Sequence, residues 1–312
     1  MGLWDYLNLP EEELVERINE ARKKRNAVIL AHNYQRIEVQ RIADFRGDSL
    51  ELAKIASKTD AEVIVFCGVM FMAETAKIIN PERTVLIPDF QAGCPLAAYA
   101  TADKVLEFKK MYPDHAIVTY INSSAEVKSV SDIVCTSANS VKVVEYFPKD
   151  KGIIFVPDKN LCYYTKKQTG RENIICWEGN CYVHDRITLE NVRHARQEHP
   201  EAVLIVHPEV PPEVQEVADF IASTSGMYRY VKEHPDTPAI IATEVGLIER
   251  IKDEIKGAKV YPISERAICS NMKLITLPKV LMALEENVYE VVVPDEIAEK
   301  ARTAIERMLS IS

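Results

Sequence analysis

The sequence predicts an α/β protein built from three related αβα units, each a doubly wound parallel sheet. Two observations predict this fold. An internal repeat of about 87 residues runs through the chain, and every copy alternates amphipathic helices with short apolar strands. We expect the copies to surround a central active site about a pseudo-threefold axis. The predicted units are residues 1–95 completed by 270–312, then 96–181, then 182–269.

The repeat is visible as six columns of chemically similar residues that recur 87 or 88 positions apart. A Glu-Val pair anchors each copy, and the other columns lie at nearly constant distances from it. In chain order the columns are rings at His32, Tyr120 and His207; polar groups at Tyr34, Asn122 and Glu209; glutamates at Glu38, Glu126 and Glu213; aspartates at Asp44, Asp132 and Asp219; hydroxyls at Ser49, Ser137 and Thr224; and cysteines at Cys94, Cys181 and Cys269.

Each copy begins with an amphipathic helix, predicted at 12–24, 102–111 and 189–197. The second and third of these helices have N-cap threonines at Thr101 and Thr188. An apolar strand follows in each copy, at 27–30, 116–118 and 202–206, and ends at the ring residue. These strands lack polar alternation, which is typical of strands buried on both faces of a parallel sheet. The hydroxyl column then begins the next helix.

Further apolar runs predict strands at 62–66, 85–88, 152–157 and 239–243. A partial fourth copy follows the last cysteine, with a helix after Thr276 and a strand predicted at 290–293. We expect this segment to pack back onto the first unit.

The repeated cysteines predict a metal centre, because a threefold arrangement would bring equivalent residues together. Three thiolates are one ligand short of a closed zinc site or a fully ligated iron–sulfur cluster, so one metal position would stay open to substrate as a Lewis acid. Zinc held by the same cysteines with His184 remains an alternative. The other four cysteines, Cys67, Cys135, Cys162 and Cys176, are predicted to be buried structural thiols.

Substrate chemistry is expected at the carboxyl ends of the strands, where ligands bind in such folds. Ser49, Ser137 and Thr224 each begin a predicted helix, whose N-terminal N–H groups favour an anion. Three such positions suit two carboxylates and one phosphate. The groups available for proton transfer are His32, Tyr34, His207 and Glu209.

Charge, apolar runs and cysteine count indicate which classes of protein this chain can belong to. The net charge of −9 over 312 residues argues against non-specific nucleic-acid binding. No signal peptide or membrane-spanning apolar run is recognised, so a cytoplasmic protein is predicted. Seven cysteines are an odd number, and thiols are expected in a reducing compartment.

A series of short motifs completes the pattern. In order they are Ala31-His-Asn-Tyr34, Gly47-Asp-Ser49, Gln91-Ala-Gly-Cys-Pro95, Thr119-Tyr-Ile-Asn122, Thr136-Ser-Ala-Asn139, Trp177-Glu-Gly-Asn-Cys-Tyr-Val-His184, His207-Pro-Glu209, Ser223-Thr224 and Cys269-Ser-Asn-Met-Lys273. Together they resemble the quinolinate synthase family of de novo NAD biosynthesis, over nearly the whole chain.

The resemblance implies condensation of iminoaspartate with dihydroxyacetone phosphate to give quinolinate, phosphate and two waters. It implies a [4Fe–4S] cluster held by Cys94, Cys181 and Cys269, with one open iron. Tyr34 and Glu209 would transfer protons, assisted by His32 and His207. These two histidines and Glu209 would also contact substrate, with the further anchors Ser49, Tyr120, Asn122, Ser137, Ser223 and Thr224. Functional coupling to an iminoaspartate-producing enzyme is expected.

One departure from the family pattern is informative. Some members carry a Cys-x-x-Cys-x-x-Cys run around the last ligand, whereas this chain reads Cys269-Ser-Asn-Met272, so no redox disulfide is expected there. Two other functions stay open at the level of sequence. One is a different cluster-dependent hydro-lyase, and the other is a non-catalytic iron–sulfur sensor or electron carrier.

Overall fold

The computed structural model describes residues 2–311, which form three separate four-stranded sheets flanked by helices. Every strand pairing in these sheets is parallel. The strands are β1 Ala27–His32, β2 Phe45–Gly47, β3 Val63–Cys67, β4 Thr84–Leu86, β5 Ala116–Tyr120, β6 Ile133–Cys135, β7 Ile153–Val156, β8 Ile174–Cys176, β9 Val203–Val206, β10 Phe220–Ile221, β11 Ala239–Ala242 and β12 Val260–Pro262. The predicted α/β class with three αβα units is confirmed.

The helices follow the same repeat. They are α1 Leu3–Leu7, α2 Glu11–Lys24, α3 Ile37–Ile42, α4 Ser49–Ala56, α5 Met70–Ile79, α6 Ala102–Met111, α7 Ala125–Ser129, α8 Ser140–Glu145, α9 Lys159–Thr169, α10 Leu189–Glu198, α11 Pro212–Glu216, α12 Thr224–Glu233, α13 Val245–Glu254, α14 Leu277–Glu286 and α15 Asp295–Ile311. In each αβα unit four helices alternate with four strands, and α1, α14 and α15 lie outside this alternation. The predicted opening helices agree with α2, α6 and α10 within one residue at either end.

Strand order is identical in the three sheets: β2-β1-β3-β4, β6-β5-β7-β8 and β10-β9-β11-β12. The first strand of each unit is thus central, and the second lies at an edge. Every residue of β3, β5 and β7 is buried, which explains why these segments carry no polar alternation.

The density of internal contacts divides the chain into two compact regions. One extends to Cys94 and includes Cys269–Ala298, and it contains the first sheet. The other comprises Pro95–Ile268 and the residues from Glu299 onward, and it contains the second and third sheets. The boundaries of three units and their arrangement about a common centre stay predictions.

The repeated aspartate joins the central strand to the edge strand in each unit. Its carboxylate accepts a hydrogen bond from a central-strand N–H, while its own N–H donates to the carbonyl of the same residue. The pairs are Asp44 with Ile29, Asp132 with Ile117 and Asp219 with Leu204, with carboxylate distances of 2.8, 2.7 and 2.7 Å. We call this contact the aspartate clasp. It fixes the start of an edge strand only two or three residues long.

Five strands were not predicted: β2, β6, β8, β10 and β12. Each is only two or three residues long. A segment this short carries little apolar sequence, and its conformation depends on pairing with the neighbouring strand of its sheet. Local propensity alone could not have found them.

The segment after α14 differs from the prediction. Residues 290–293 form no strand. Glu290 makes an isolated antiparallel bridge to Leu86, and the Val291 N–H donates to the Val85 carbonyl at 2.8 Å. Positive φ angles at Asn287 (52°) and Tyr289 (65°) turn the chain out of the direction a parallel strand requires. The expectation that this segment packs onto the first unit is confirmed.

The expectation that Cys162 and Cys176 are thiols is wrong, because they form a disulfide that joins α9 to the end of β8. The two residues are 14 positions apart, so sequence spacing gave no sign of the pairing. Cys67 and Cys135 are buried thiols, as predicted, and they end β3 and β6.

Replacing Cys162 and Cys176 together by alanine is expected to lower the free energy of unfolding by about 3 kcal/mol, the entropic value for a loop of about 15 residues. Denaturant unfolding under oxidising conditions measures the change. Reductant should destabilise the unsubstituted protein by a similar amount and leave the double variant unchanged. Equal stability of the unsubstituted protein with and without reductant would contradict the expectation.

No helix within residues 2–311 is long and apolar enough to cross a membrane.

Candidate active site

The ring column lies at the carboxyl ends of the three central strands, as predicted. His32 ends β1, Tyr120 ends β5 and His207 directly follows β9. All three are buried. The polar column follows two residues later, at Tyr34, Asn122 and Glu209, in the loop that leaves each strand. Each αβα unit therefore presents a ring and a polar group at the sheet edge where ligands bind in such folds.

A buried polar side chain holds each of these loops from the following helix. Gln40 on α3, Lys128 on α7 and Gln215 on α11 occupy the column directly after Glu-Val, and all three are buried. Each donates to backbone carbonyls of its own loop: Gln40 to Asn33 and Gln35, Lys128 to Ser123, and Gln215 to Pro208 and Val210. Sequence reasoning missed this column, although the repeat could have revealed it.

His207 connects a hydroxyl to a carboxylate within the second compact region. Its Nε2 lies 3.2 Å from Ser137 Oγ, and its Nδ1 lies 3.3 Å from Glu209 Oε2. In the tautomer whose proton is on Nε2, Nδ1 accepts the backbone N–H of Glu209 at 3.3 Å. The ring can therefore hold its proton facing Glu209 or facing Ser137. A group that can carry its proton on either side is suited to general acid–base catalysis.

His184 is the second histidine that contacts Glu209. The sequence predicts for it only the role of an alternative zinc ligand. Its Nδ1 is 2.9 Å from Glu209 Oε2 and 3.2 Å from Cys181 Sγ, while its Nε2 is 2.8 Å from Thr243 Oγ1. The His184 and His207 rings stack with centroids 4.6 Å apart. Cys181, His184 and Glu209 form a group that could hold a metal ion.

Burial and neighbouring charges shift the pKa values of the buried ionisable groups in different directions. Burial opposes ionisation of Glu209, but the imidazoles of His184 and His207 outweigh it through charge and hydrogen bonds. They hold the pKa of the Glu209 carboxyl below its ordinary range. Burial lowers the pKa of His207, and the neighbouring His184 lowers it further. Burial and then the charge of Glu209 raise the pKa of Asp158 well above its usual value.

In the first compact region, His32 and Tyr34 repeat part of the arrangement of His207 and Glu209. The Tyr34 N–H donates to His32 Nδ1 at 3.2 Å, and the two rings meet edge to face with centroids 4.6 Å apart. Lys273 Nζ donates to the Tyr34 carbonyl at 2.7 Å, and Arg36 Nε donates to the Lys273 carbonyl at 2.8 Å. The loop after Cys269 therefore holds the backbone of Tyr34.

The hydroxyl column only partly matches the prediction that each member begins a helix. Ser49 and Thr224 are the first residues of α4 and α12, but their caps are the preceding residues, Asp48 and Ser223. Ser137 lies three residues before α8, so its predicted helix start is wrong. The Thr136-Ser-Ala-Asn139 segment instead forms a turn in which Asn139 Oδ1 accepts the Thr136 N–H at 2.7 Å. This turn leaves the Ser137 hydroxyl at the His207 ring.

The cysteines separate into three groups by chemical state. Cys162 and Cys176 are joined in the disulfide. Burial raises the pKa of the Cys67 and Cys135 thiols above the ordinary range, so neither readily supplies a thiolate. The remaining three are partly exposed and outside any disulfide, and they are the repeated set, Cys94, Cys181 and Cys269. The chemistry of the donor set thus fits a metal centre with three thiolates.

Known proteins share this sequence over almost its whole length. A family model described as NadA, Quinolinate synthetase A protein, matches residues 16–310. A protein named quinolinate synthase from Thermodesulfovibrio yellowstonii is 50% identical over 297 residues, covering 95% of this chain and 98% of that one. One from Pyrococcus furiosus is 52% identical over 302 residues, covering 96% and 99%. One from Thermococcus kodakarensis is 50% identical over 305 residues, covering 97% and 100%.

Proposed function

The chain belongs to the quinolinate synthetase A protein family, and from this membership we propose that it is a quinolinate synthase. The proposed substrates are iminoaspartate and dihydroxyacetone phosphate, which carry two carboxylates and one phosphate between them. Their condensation releases phosphate and two waters and forms quinolinate. The reaction requires repeated proton removal and loss of hydroxyl groups, so it needs both acid–base side chains and a means of polarising a leaving oxygen.

One observation carries the proposal: a chain of contacting side chains that could transfer protons reaches the thiol of a proposed cluster ligand. Ser137, His207 and Glu209 are connected by contacts of 3.2 and 3.3 Å. His184 then connects Glu209 to Cys181, at 2.9 and 3.2 Å. An electron carrier has no need of such a chain, whereas a dehydrating enzyme does.

We propose that Cys94, Cys181 and Cys269 hold a [4Fe–4S] cluster. Their partly exposed thiol state supports this assignment, because the other four cysteines are buried or joined in the disulfide. When bound, the cluster supplies an iron with an open coordination position that acts as a Lewis acid toward a substrate oxygen.

The remaining steps are assigned to the chain's own side chains. Glu209 and His207 receive and return protons, and Ser137 takes a proton from the substrate as it passes its own to the His207 ring. Tyr34 acts as the second proton-transfer residue, with its backbone held by Lys273 and its ring beside His32. The proposed substrate anchors are Ser49, Tyr120, Asn122, Ser137, Ser223 and Thr224, together with His32, His207 and Glu209. Functional coupling to an iminoaspartate-producing enzyme is also proposed; the cytoplasmic location stays a prediction.

Anaerobic reconstitution with iron and sulfide, followed by addition of both substrates, tests the function. We expect quinolinate to form at a rate proportional to cluster content, measured by chromatography against an authentic standard. Protein prepared without iron is the control and should form none. Dehydration of other hydroxy acids without quinolinate would indicate a different hydro-lyase. Reversible reduction of the cluster without any turnover would indicate a sensor or electron carrier.

A further inference from the structure

A group of three metal-ligating side chains lies entirely within the second compact region. We propose that Cys181, His184 and Glu209 bind a single zinc ion when the chain lacks its cluster. The zinc site itself does not depend on the proposed function, but its competition with the cluster does, because Cys181 would belong to both.

The three donor atoms are already close together. Cys181 Sγ, His184 Nδ1 and a Glu209 carboxylate oxygen all lie within 4.8 Å of one another. Nδ1 is 2.9 Å from Glu209 Oε2 and 3.2 Å from Cys181 Sγ. Tetrahedral zinc with ordinary bond lengths separates such donors by about 3.3–3.6 Å. The two contacts made by His184 Nδ1 would therefore lengthen by about 0.4 Å to admit the ion.

The donor set has the right chemistry for zinc. One thiolate, one imidazole and one carboxylate are the three ligand types that zinc takes in proteins, and three protein ligands leave a fourth position for water. A thiolate and a carboxylate carry two negative charges, which a divalent ion neutralises. Cys181 is partly exposed, which places the site near solvent, while His184 and Glu209 are buried.

The hydrogen bonding around His184 and Glu209 is also typical of metal ligands. His184 has its second nitrogen fixed by Thr243 Oγ1 at 2.8 Å, as zinc-bound histidines usually do with a neighbouring oxygen. Glu209 Oε1 is buried and has no hydrogen-bond partner among residues 2–311. Buried polar atoms are nearly always satisfied, so this oxygen has unused capacity to bind a cation.

The consequence is competition between two metal states. A zinc ion at this site would occupy Cys181 and remove Glu209 from proton transfer at the same time. A chain that meets zinc before its cluster is assembled would therefore be held inactive. Zinc binding would also stabilise the fold, since an ion bound only by the native state raises the free energy of unfolding.

The test measures zinc binding to full-length, iron-free protein by competition with a chromophoric chelator. Cobalt provides a second readout through its thiolate charge-transfer band. We expect about one ion per chain and a cobalt spectrum typical of a single thiolate. Cys181→Ser, His184→Gln and Glu209→Gln should each weaken zinc binding at least about 100-fold, because loss of a mere supporting contact already costs about 10–100-fold. Circular dichroism and the thermal midpoint show that each variant is folded.

Cys94→Ser and Cys269→Ser are the matched controls, since they alter proposed cluster ligands without touching the zinc set. They should bind zinc as tightly as the unsubstituted protein while failing to assemble a cluster, whereas His184→Gln should lose zinc and keep about four irons per chain. Loss of zinc binding in Cys269→Ser would mean that the three repeated cysteines hold the ion, and it would overturn the proposal. Retained zinc binding in His184→Gln would overturn it as well. Neither result bears on quinolinate formation, which is measured separately.

Discussion

Replacing any one of Cys94, Cys181 and Cys269 by serine is expected to leave the folded protein without its iron–sulfur cluster. Each cysteine would supply one of only three thiolates, and a serine hydroxyl is a poor substitute for a thiolate ligand to iron. Iron and sulfide analysis after anaerobic reconstitution, together with the visible absorbance of the cluster, measures the loss. We expect about four irons per chain before substitution and close to none afterwards.

The other cysteines provide the controls for this experiment. Cys67→Ala and Cys135→Ala change buried thiols at strand ends, and the double alanine variant of Cys162 and Cys176 removes the disulfide. All three proteins should assemble the cluster, although the last will be less stable. Full cluster content in Cys181→Ser would show that the repeated cysteines are not the ligand set.

Replacing Glu209 by glutamine or Tyr34 by phenylalanine is expected to lower quinolinate formation by about 10²–10⁴-fold, the usual contribution of a general acid or base. Both substitutions keep the shape of the side chain and remove its capacity to transfer a proton. For Glu209→Gln the change also removes the negative charge beside the His184 and His207 rings. The fall should be in kcat, with about four irons per chain retained.

A surface pair supplies closely matched controls for these substitutions. Tyr163 donates to Glu216 Oε1 at 2.6 Å, so Tyr163→Phe and Glu216→Gln make the same chemical changes away from the proposed proton-transfer chain. Both should keep nearly full turnover, measured by quinolinate production under the same anaerobic conditions. Near-full turnover in both Glu209→Gln and Tyr34→Phe would show that the proton-transfer residues have been assigned wrongly.

The central parts of the fold could be predicted because their information is local and repeated. The apolar runs of β1, β5 and β9 and the amphipathic pattern of α2, α6 and α10 are each recognisable within a few residues. Repetition then strengthened the prediction of each of these elements, since the same pattern appeared at three equivalent positions. Five of the six edge strands, all but β4, were missed because their conformation depends on pairing with another segment of the chain.

The proposed site shows the same division between local and tertiary information. The ring and polar columns, from His32 to Glu209, repeat at fixed spacing and were found in the sequence. The role of His184 was not found, because it has no counterpart in the other copies and its contacts with Glu209 and Cys181 exist only after folding. The disulfide was missed for a related reason, since composition favoured thiols and spacing carried no information.

The turn at Ser137 shows how repetition can also mislead. The hydroxyl column suggested three equivalent helix starts, yet only Ser49 and Thr224 begin a helix. Asn139 forms a local hydrogen-bonded turn instead, and such turns compete with helix initiation. Equivalent residues in a repeat therefore need not share one backbone conformation, particularly where a unit has acquired its own role.

The aspartate clasp has a consequence for how such a chain avoids misassembly. Three sheets of identical strand order in one polypeptide offer many near-equivalent wrong partners for any newly formed strand. Each clasp is made by the residue directly before the edge strand, and its acceptor lies 15 positions from its donor in every copy. Closing so short a loop costs little entropy compared with pairing between copies. The clasp therefore favours pairing of each central strand with the edge strand of its own copy, in one register. This protects the chain from strand exchange among its copies.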